Sequence, residues 1–189
     1  MTLLEGKTVL LTGSTGSLGS AIARTLSSAG ARIALTGTNN EKLNNLLMEL
    51  GSSHSAHSCD LSKFEEIDKL SDTVIEEFGS IDILINNAGV KKDDLLIRMK
   101  DDDWFNVINI NLNSVYKLTK NISKHMLKKR SGKIIAIAPV VGFSGNPGQT
   151  NYVSSKAALV GFTKSLAMEV ATRGINVNCI APGMIDSEM

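Results

Sequence analysis

Tyr152 and Lys156 lie four residues apart, and their side chains are the best suited in this sequence to moving a proton. Residues four apart on a helix share one face, so the lysine ammonium can lie beside the tyrosine phenol. A free tyrosine has a pKa of about 10, and a neighbouring positive charge favours the phenolate and lowers that pKa. The pair therefore predicts a usable general acid, although the same spacing also occurs by chance in many helices.

A glycine-rich loop, Thr12-Gly13-Ser14-Thr15-Gly16-Ser17-Leu18-Gly19, follows the first predicted strand and leads into a helix. Glycines allow a tight turn and let backbone N–H groups approach a pyrophosphate at the helix N-terminus. The alternative is a glycine-rich turn with a structural role alone. We predict a dinucleotide site with contacts from Gly13, Ser14, Thr15, Gly16, Ser17, Leu18 and Gly19.

The residues after the second predicted strand bear on the choice of dinucleotide, and they read Leu35-Thr36-Gly37-Thr38-Asn39-Asn40. An acidic residue there would hold the adenosine ribose hydroxyls and favour NAD. None occurs, so a 2′-phosphate would not be repelled, and we expect NADP(H) with Thr38 at the cofactor. No arginine in the glycine loop is available to hold that phosphate. Lys42 is nearby, and it either holds the 2′-phosphate or is a solvated helix residue.

Strands and helices alternate along the chain, as is typical of a doubly wound parallel sheet with helices on both faces. Continuous apolar runs predict strands covered on both faces. The predicted strands are Thr8–Thr12, Arg32–Thr36, a weaker one at Ser55–Cys59, Ile81–Ile85, Lys133–Ile137 and Ile175–Ile180. The predicted helices are Ser20–Ala29, Asn40–Leu50, Lys63–Phe78, Asp101–Leu127 and Gln149–Thr172. Residues 1–189 contain no evident linker or repeat and are predicted to form one domain.

Six motifs stand in the order and spacing of the short-chain dehydrogenase/reductase family, and the whole chain resembles that family. They are the glycine loop, Asp60 after the third strand, Asn86-Asn87-Ala88-Gly89 after the fourth, Asn111 in the fourth helix, the Tyr152–Lys156 pair and Pro182-Gly183 after the sixth strand. The resemblance implies a Rossmann-type fold that binds a nicotinamide dinucleotide. It implies cofactor contacts from Asp60, Leu61, Asn87, Ala88, Gly89, Tyr152, Lys156, Pro182 and Gly183.

The resemblance also implies chemical roles for three side chains. Tyr152 gives a proton to a carbonyl oxygen as hydride reaches the carbon, and Lys156 lies beside the nicotinamide ribose. Asn111 resembles the residue that supports a water-linked proton path to the lysine. The alternative for Asn111 is a helix residue bonded to backbone.

Within the family, the chain is most similar to β-ketoacyl-acyl carrier protein reductases. The similar segments are Asp93–Lys100, Gly145–Tyr152 and Glu169–Ile175. This likeness implies fatty-acid elongation, in which NADPH reduces a 3-oxoacyl thioester to a 3-hydroxyacyl thioester. It further implies that Arg130 and Arg173 dock the acidic acyl carrier protein, and that the protein is a homo-oligomer, a tetramer in the relatives.

Pro139 is a departure from the family pattern, which has a serine at this position, thirteen residues before the tyrosine. The serine hydroxyl holds the substrate carbonyl oxygen, whereas proline has no hydroxyl and no backbone N–H. Losing one donor to a developing oxyanion costs about 10²–10³ in rate, so we expect impaired catalysis. Neighbouring Ala138 has no hydroxyl either, and Ser144 supplies one only if its loop folds back.

Two further departures concern the glycine loop and the end of the chain. The middle glycine is Gly16, one place early, and Ser17 stands where single-domain members have glycine. The sequence ends at Met189, shortly after Pro182-Gly183, where full-length relatives continue with a substrate-covering segment, a final strand and a subunit interface. We therefore expect the family's C-terminal segment to be missing, the sixth strand to form a sheet edge, and the tetramer to be in doubt.

Composition narrows the class of protein. Lys and Arg total 20 against 19 for Asp and Glu, so a nucleic-acid binder that works by bulk charge is not expected. Cys59 and Cys179 are predicted to be reduced thiols, and no signal peptide or membrane-spanning run is evident, which favours a cytoplasmic protein without a membrane partner. His54, His57, Cys59 and Asp60 are interpreted as a turn leading into a strand, and no metal is predicted.

Two other functions remain open beside the reductase. One is a nucleotide-binding pseudoenzyme, which Pro139 and the early end of the chain favour and which Tyr152, Lys156 and Asn111 oppose. The other is a dehydrogenase of the same family that acts on a different carbonyl or alcohol substrate.

Overall fold

A computed structural model describes residues 3–183 and 185 of the chain. Its centre is one six-stranded sheet in which every strand pairs in parallel, in the order β3-β2-β1-β4-β5-β6. The strands are β1 (Thr8–Thr12), β2 (Arg32–Gly37), β3 (Ser55–Ser58), β4 (Ile83–Asn86), β5 (Gly132–Ile137) and β6 (Ile175–Ile180). This order is the Rossmann-type doubly wound arrangement, so the predicted fold class is confirmed.

In the described part of the chain, seven α-helices connect the strands: α1 (Ser17–Ser28), α2 (Asn40–Leu50), α3 (Phe64–Phe78), α4 (Asp101–Ile108), α5 (Ser114–Lys129), the single turn α6 (Val141–Ser144) and α7 (Thr150–Val170). The predicted helix Asp101–Leu127 is not one regular helix, because a π-helical turn, Asn109–Asn113, separates α4 from α5. The short helix α6 was not predicted. None of these helices in the described part of the chain is both long and apolar enough to cross a membrane.

The core lies on both faces of the sheet. Leu10, Leu84 and Ile134 pack with α3, α5 and the end of α7 on one face. The alternate residues of the same strands, such as Leu11 and Ile85, pack with α1 and α2 on the other. Because successive strand residues point to opposite faces, two covered faces require continuous apolar runs.

The sixth strand does not follow this pattern, so the prediction that it is covered on both faces is wrong. Ile175 and Val177 are buried, whereas Asn176, Asn178 and Ile180 are exposed. In residues 3–183 and 185, β6 pairs with β5 alone, as expected for a sheet edge. On the face of the sheet that α1 and α2 cover, these helices pack on the side formed by β1, β2 and β4. The expectation about the end of the chain falls on residues outside the described range.

Candidate active site

Thr12, the last residue of β1, joins the glycine loop to the segment that follows β4. Its hydroxyl oxygen accepts hydrogen bonds from the backbone N–H groups of Asn87 at 3.0 Å and Ala88 at 3.1 Å, and donates to the Ile85 carbonyl at 3.3 Å. The Asn87 amide donates in turn to the carbonyls of Thr12 and Gly13. The strand order reverses between β1 and β4, which is where this fold places its ligands.

Two glycines of the loop have no room for a side chain. Gly13 has a φ of +63°, and a Cβ built there would lie 2.8 Å from the Ala88 Cα. A Cβ on Gly19 would meet the backbone of Gly13 and would lie 2.9 Å from the Ser14 Cα. These two glycines therefore let the loop turn tightly on itself and pack against the backbone of Ala88.

The N-terminus of α1 lies open beside this loop. Gly16 is its N-cap residue, no side chain caps the helix, and the first turn contains no acidic residue. The first N–H groups of a helix lack partners within it, and the helix dipole favours an anion there. The residues present therefore fit the dinucleotide phosphates, with Ser17, Leu18 and Gly19 at the helix start.

Ser14 and Thr15 hold the loop against β2. The Ser14 side chain is fully buried, and both its N–H and its hydroxyl donate to the Thr36 carbonyl, at 2.9 and 3.1 Å. The Thr15 hydroxyl lies against Gly37, where a Cβ would be 3.1 Å away. The side chain of Ser14 thus positions the loop and does not face outward.

The residues after β2 include Thr38, which is exposed at the carboxyl edge of the sheet. The amide oxygen of the next residue, Asn39, accepts the Lys42 N–H at 2.9 Å and caps α2. No carboxylate lies between the end of β2 and this cap.

The residues after β3 are tied into a turn. The Asp60 carboxylate accepts hydrogen bonds from the N–H and hydroxyl of Ser62 and lies 3.4 Å from the Lys63 ammonium. These hydrogen bonds hold the pKa of Asp60 below its usual value. The side chain of Leu61 is buried in the core.

Side chains of the segment from His54 to Asp60 are bonded to neighbouring parts of the fold. His54 accepts a hydrogen bond from the Ile33 N–H at 3.1 Å and contacts the Ser27 hydroxyl at 2.9 Å. Burial raises the pKa of the Cys59 thiol to about 11, which keeps it protonated. Among the residues the structure describes, no group of His, Cys, Asp or Glu is placed to hold a metal ion.

Asn111 lies at the centre of the π-helical turn and is fully buried. Its amide oxygen accepts the Val90 N–H at 2.8 Å, and its amide nitrogen donates to the Val90 carbonyl and to the Ser155 hydroxyl, at 2.9 and 3.1 Å. The side chain thus ties the segment after β4 to α7. Single π-helical turns are frequent at functional sites.

Tyr152 and Lys156 lie on one face of α7, as predicted. The Lys156 ammonium is 5.7 Å from the Tyr152 ring centroid and donates to the Ile137 carbonyl at 3.0 Å. A Cβ on Gly89 would lie 3.2 Å from that ammonium and 3.4 Å from the Asn111 amide oxygen. The fold therefore brings Tyr152, Lys156, Asn111 and Gly89 together from three separate parts of the sequence.

The expected lowering of the Tyr152 pKa is not found. Burial raises the pKa of Tyr152, and the negative charge of Asp93 raises it further. Lys156 does not oppose this, because its own burial lowers its pKa to about 8 and its ammonium is directed at a backbone carbonyl. The spacing of Tyr152 and Lys156 predicts only the effect of a neighbouring charge, whereas the pKa also depends on the cost of burying a charged phenolate.

Pro139 occupies a place where the sheet needs no N–H donor. The N–H groups on either side of it, from Ala138 and Val140, donate to the Ile180 and Pro182 carbonyls. Gly142 then donates to the Pro139 carbonyl as α6 begins. Ser144, at the end of α6, is exposed, and its hydroxyl donates to the carbonyl of the next residue.

Pro182 and Gly183 follow β6 at the carboxyl edge of the sheet, where Pro182 is half-buried and Gly183 is exposed. The arginine pair lies elsewhere. Arg130 ends α5 in the left-handed conformation with a φ of +53°, and its guanidinium donates to the Thr172 carbonyl at 3.0 Å, next to Arg173. Both arginines are exposed, and they precede β5 and β6 at the amino edge of the sheet.

A parallel sheet with a glycine loop, an open helix N-terminus and a tyrosine–lysine pair at its carboxyl edge is typical of nucleotide-dependent oxidoreductases. The sequence profile of the short chain dehydrogenase family matches residues 7–189, and the chain belongs to this family. It is therefore an oxidoreductase of the class that uses a nicotinamide cofactor.

Three relatives illustrate the similarity. The 3-oxoacyl-[acyl-carrier-protein] reductase FabG of Haemophilus influenzae is 48% identical over 186 residues, which are 98% of this chain and 77% of the relative. The FabG of Escherichia coli is 45% identical over 185 residues, which are 98% of this chain and 76% of the relative. Nodulation protein G of Rhizobium sp. is 48% identical over 186 residues, with the same 98% and 76% coverage.

Two contributors to the site were not predicted from the sequence. Ser155 supports Asn111, and its place one residue before Lys156 was the only available signal. The segment carrying Asp93 and the segment carrying Gln149 were both noted for their likeness to relatives, but nothing in the sequence showed that they touch.

Proposed function

We propose that the chain reduces 3-oxoacyl-acyl carrier protein to 3-hydroxyacyl-acyl carrier protein with NADPH, as a step of fatty-acid biosynthesis. The observation that carries this proposal is the convergence of Tyr152, Lys156 and Asn111 beside the glycine loop at the switch point of the sheet. The names of the FabG relatives support the substrate. Residues 1–189 are taken as one cofactor-binding domain that works in the cytoplasm, where free thiols such as Cys59 and Cys179 stay reduced.

The cofactor would supply the hydride, and the chain's residues bind and orient it. The backbone of the loop from Gly13 to Gly19 would hold the phosphates. Asp60 and Leu61 would lie at the adenine. The remainder of the cofactor site would be lined by Asn87, Ala88, Gly89, Pro182 and Gly183. NADP is favoured because the exposed Thr38 region carries no carboxylate to repel a 2′-phosphate.

Tyr152 is the proposed proton donor to the carbonyl oxygen. Its raised pKa keeps the phenol protonated, which suits the reduction because the hydroxyl must give up its proton only as the carbonyl oxygen becomes negative. Lys156, with a pKa of about 8, would return a proton to Tyr152 after each turnover. Asn111 holds the Val90 backbone and Ser155, and so fixes the position of the helix that bears both residues.

The side chain of Pro139 favours a second candidate, a nucleotide-binding pseudoenzyme. With proline at 139 and the Ser144 hydroxyl bonded to its own loop, neither residue offers a hydroxyl to the substrate oxygen. Reduction is therefore expected to be slower by about 10²–10³ than with a serine there. A dehydrogenase acting on another carbonyl or alcohol is the third candidate.

Arg130 and Arg173 are the proposed contacts for the acidic carrier protein, and the protein is proposed to be a homo-oligomer. The hydrogen bond from Arg130 to Thr172 keeps the two arginines on one exposed surface. That surface lies at the amino edge of the sheet, whereas Tyr152 lies in the first turn of α7 at the carboxyl edge.

The test is NADPH oxidation on an acetoacetyl thioester, measured for the wild type beside Pro139→Ser. A gain of about a hundredfold in kcat/KM for the variant supports the reductase and identifies proline as the lesion. Ser144→Ala is the control, and its rate is expected to equal that of the wild type. NADPH binding without turnover in both proteins would select the pseudoenzyme, and turnover on other carbonyls alone would select the third candidate.

A further inference from the structure

The π-helical turn Asn109–Asn113 carries a second bonded amide beside that of Asn111. The Asn109 amide nitrogen donates to the Ser62 carbonyl at 2.9 Å, in the turn that follows β3. Both residues are half-buried, so water competes only in part for this hydrogen bond. The two residues are 47 positions apart, and their bond therefore joins elements that are distant in the chain.

Ser62 is itself bonded to the carboxylate of Asp60. Its N–H and its hydroxyl both donate to one oxygen of that carboxylate, at 3.0 and 2.7 Å. The Asp60 N–H donates in turn to the Glu66 carboxylate on α3, at 2.7 Å. The position of Asp60 is thus set by Ser62 on one side and by α3 on the other. Asn109 holds the Ser62 carbonyl and so reaches Asp60 through a single residue.

The two amides of the π-helical turn contact different parts of the carboxyl edge of the sheet. Residues two apart on a helix do not face each other, so neighbouring amides at this spacing reach different elements. Asn109 contacts the turn after β3, whereas Asn111 contacts Val90 after β4 and Ser155 on α7. In the sheet, β3 and β4 are separated by β2 and β1. We call the hydrogen bonds of these two amides the brace.

We propose that Asn109 is a positioning residue for the adenine end of the cofactor, on which it acts through Ser62 and Asp60. The inference rests on the proposed function, because the place of the adenine at Asp60 belongs to that proposal. A dinucleotide that lies across the switch point has its two ends on different strands, and hydride transfer depends on how it is oriented. The brace joins the turn at the adenine end to the helix that carries Tyr152.

Calorimetric binding of two ligands tests this role. NADPH carries both ends of the cofactor, whereas adenosine 2′,5′-bisphosphate carries the adenine end alone. Asn109→Leu and Asn109→Ala both remove the amide donor. We expect each variant to weaken the binding of both ligands about three- to tenfold, on the scale of one lost hydrogen bond. Weaker binding of NADPH alone, or a loss with leucine and none with alanine, would overturn the proposal.

Asn121→Leu is the matched control. The Asn121 amide ties α5 to α3, through the Asp68 carboxylate at 2.8 Å and the Ser71 hydroxyl at 3.2 Å. Its removal costs comparable hydrogen bonds and leaves the turn of Asp60 intact. We expect this variant to unfold at lower urea concentration and to bind both ligands as the wild type does. Equal weakening of binding in Asn121→Leu and Asn109→Leu would assign the effect to general destabilisation and reject the role of Asn109.

A double-mutant cycle tests the route through Asp60. Asp60→Ala is expected to weaken the binding of adenosine 2′,5′-bisphosphate by itself. If Asn109 acts by holding Asp60 in place, Asn109→Leu adds little further loss in that background. Full additivity of the two losses would contradict this route.

The same measurements separate this inference from the proposed function. A wild type that binds both ligands as expected, loses affinity with Asn109→Ala and reduces no thioester would uphold the role of Asn109 and reject the reductase. Unchanged affinity in Asn109→Ala would overturn the inference and leave the reductase standing. A wild type that binds neither ligand would reject the proposed cofactor site and this inference with it.

Discussion

Lys156 is the buried cation of the site, with only 3% of its surface exposed. Desolvation lowers its pKa from 10.5 to about 8, and the Ile137 carbonyl is its one hydrogen-bond acceptor among the described residues. A charged group in such a place destabilises the fold, and a protein that retains it gains something else from it. Under the proposed function, that gain is an amine that releases and takes up protons near neutral pH, next to a phenol that stays protonated.

The cost of burying Lys156 should appear as a pH-dependent stability. The folded state releases this proton near pH 8 and the unfolded state near 10.5, so between these values the unfolded state binds more protons. The unfolding free energy of the wild type should therefore rise with pH across this window, by about 3 kcal/mol at most from this group. Lys156→Met removes the titration, so its stability advantage should be largest below pH 8 and should shrink toward pH 10.

Urea unfolding at several pH values measures this difference. Lys164→Met replaces an exposed lysine on the same helix, and its gap from the wild type should not change with pH. A constant gap for Lys156→Met as well would show that burial of its ammonium costs nothing.

At the scale of elements, the π-helical turn between α4 and α5 turns Asn111 inward to Val90 and Ser155. The hydrogen bonds of this one side chain join the segment after β4 to α7. A regular helix through Asn109–Asn113 would rotate the following residues relative to the preceding ones. The extra residue in the turn is thus the local feature that allows one amide to serve two neighbouring elements.

Asn111→Leu tests this connection. The leucine has a similar size but leaves the Val90 N–H and carbonyl and the Ser155 hydroxyl without this partner, so we expect a loss of about 2–4 kcal/mol in unfolding free energy. Asn113→Leu lies in the same turn, is exposed and should change stability by less than about 0.5 kcal/mol. Equal losses in the two variants, measured by chemical denaturation, would assign the effect to the turn and not to the buried amide.

For the whole molecule, the switch point between β1 and β4 places the open end of α1 and the proposed catalytic side chains at one edge of the sheet. A ligand that binds the folded state alone stabilises it in proportion to the logarithm of its concentration over Kd, about 2.7 kcal/mol at a hundredfold excess. Cofactor choice can therefore be read from unfolding temperature, whether or not the chain is an active reductase.

We expect NADPH to raise the unfolding temperature more than NADH at equal concentration. Thr38 is exposed after β2 with no carboxylate beside it, so Thr38→Asp should repel the 2′-phosphate and reverse the preference. A larger effect of NADH on the wild type would contradict the assignment of NADP.

The sequence alone determined those features that depend on neighbours along the chain. Strand β1 and helix α2 begin and end where predicted, because apolar runs, caps and glycines act over a few residues. The glycine loop and the Tyr152–Lys156 spacing could be read for the same reason.

Features that depend on contacts between residues distant in the chain are set by the tertiary structure. The Tyr152 pKa is raised where the spacing alone predicted a fall, because burial and Asp93 act through space. The partners of Asn111 and the contact between Asp93 and Gln149 join residues 21 to 56 positions apart. No local pattern encodes such contacts, since they exist only once the strands are ordered and the segments at their carboxyl ends meet.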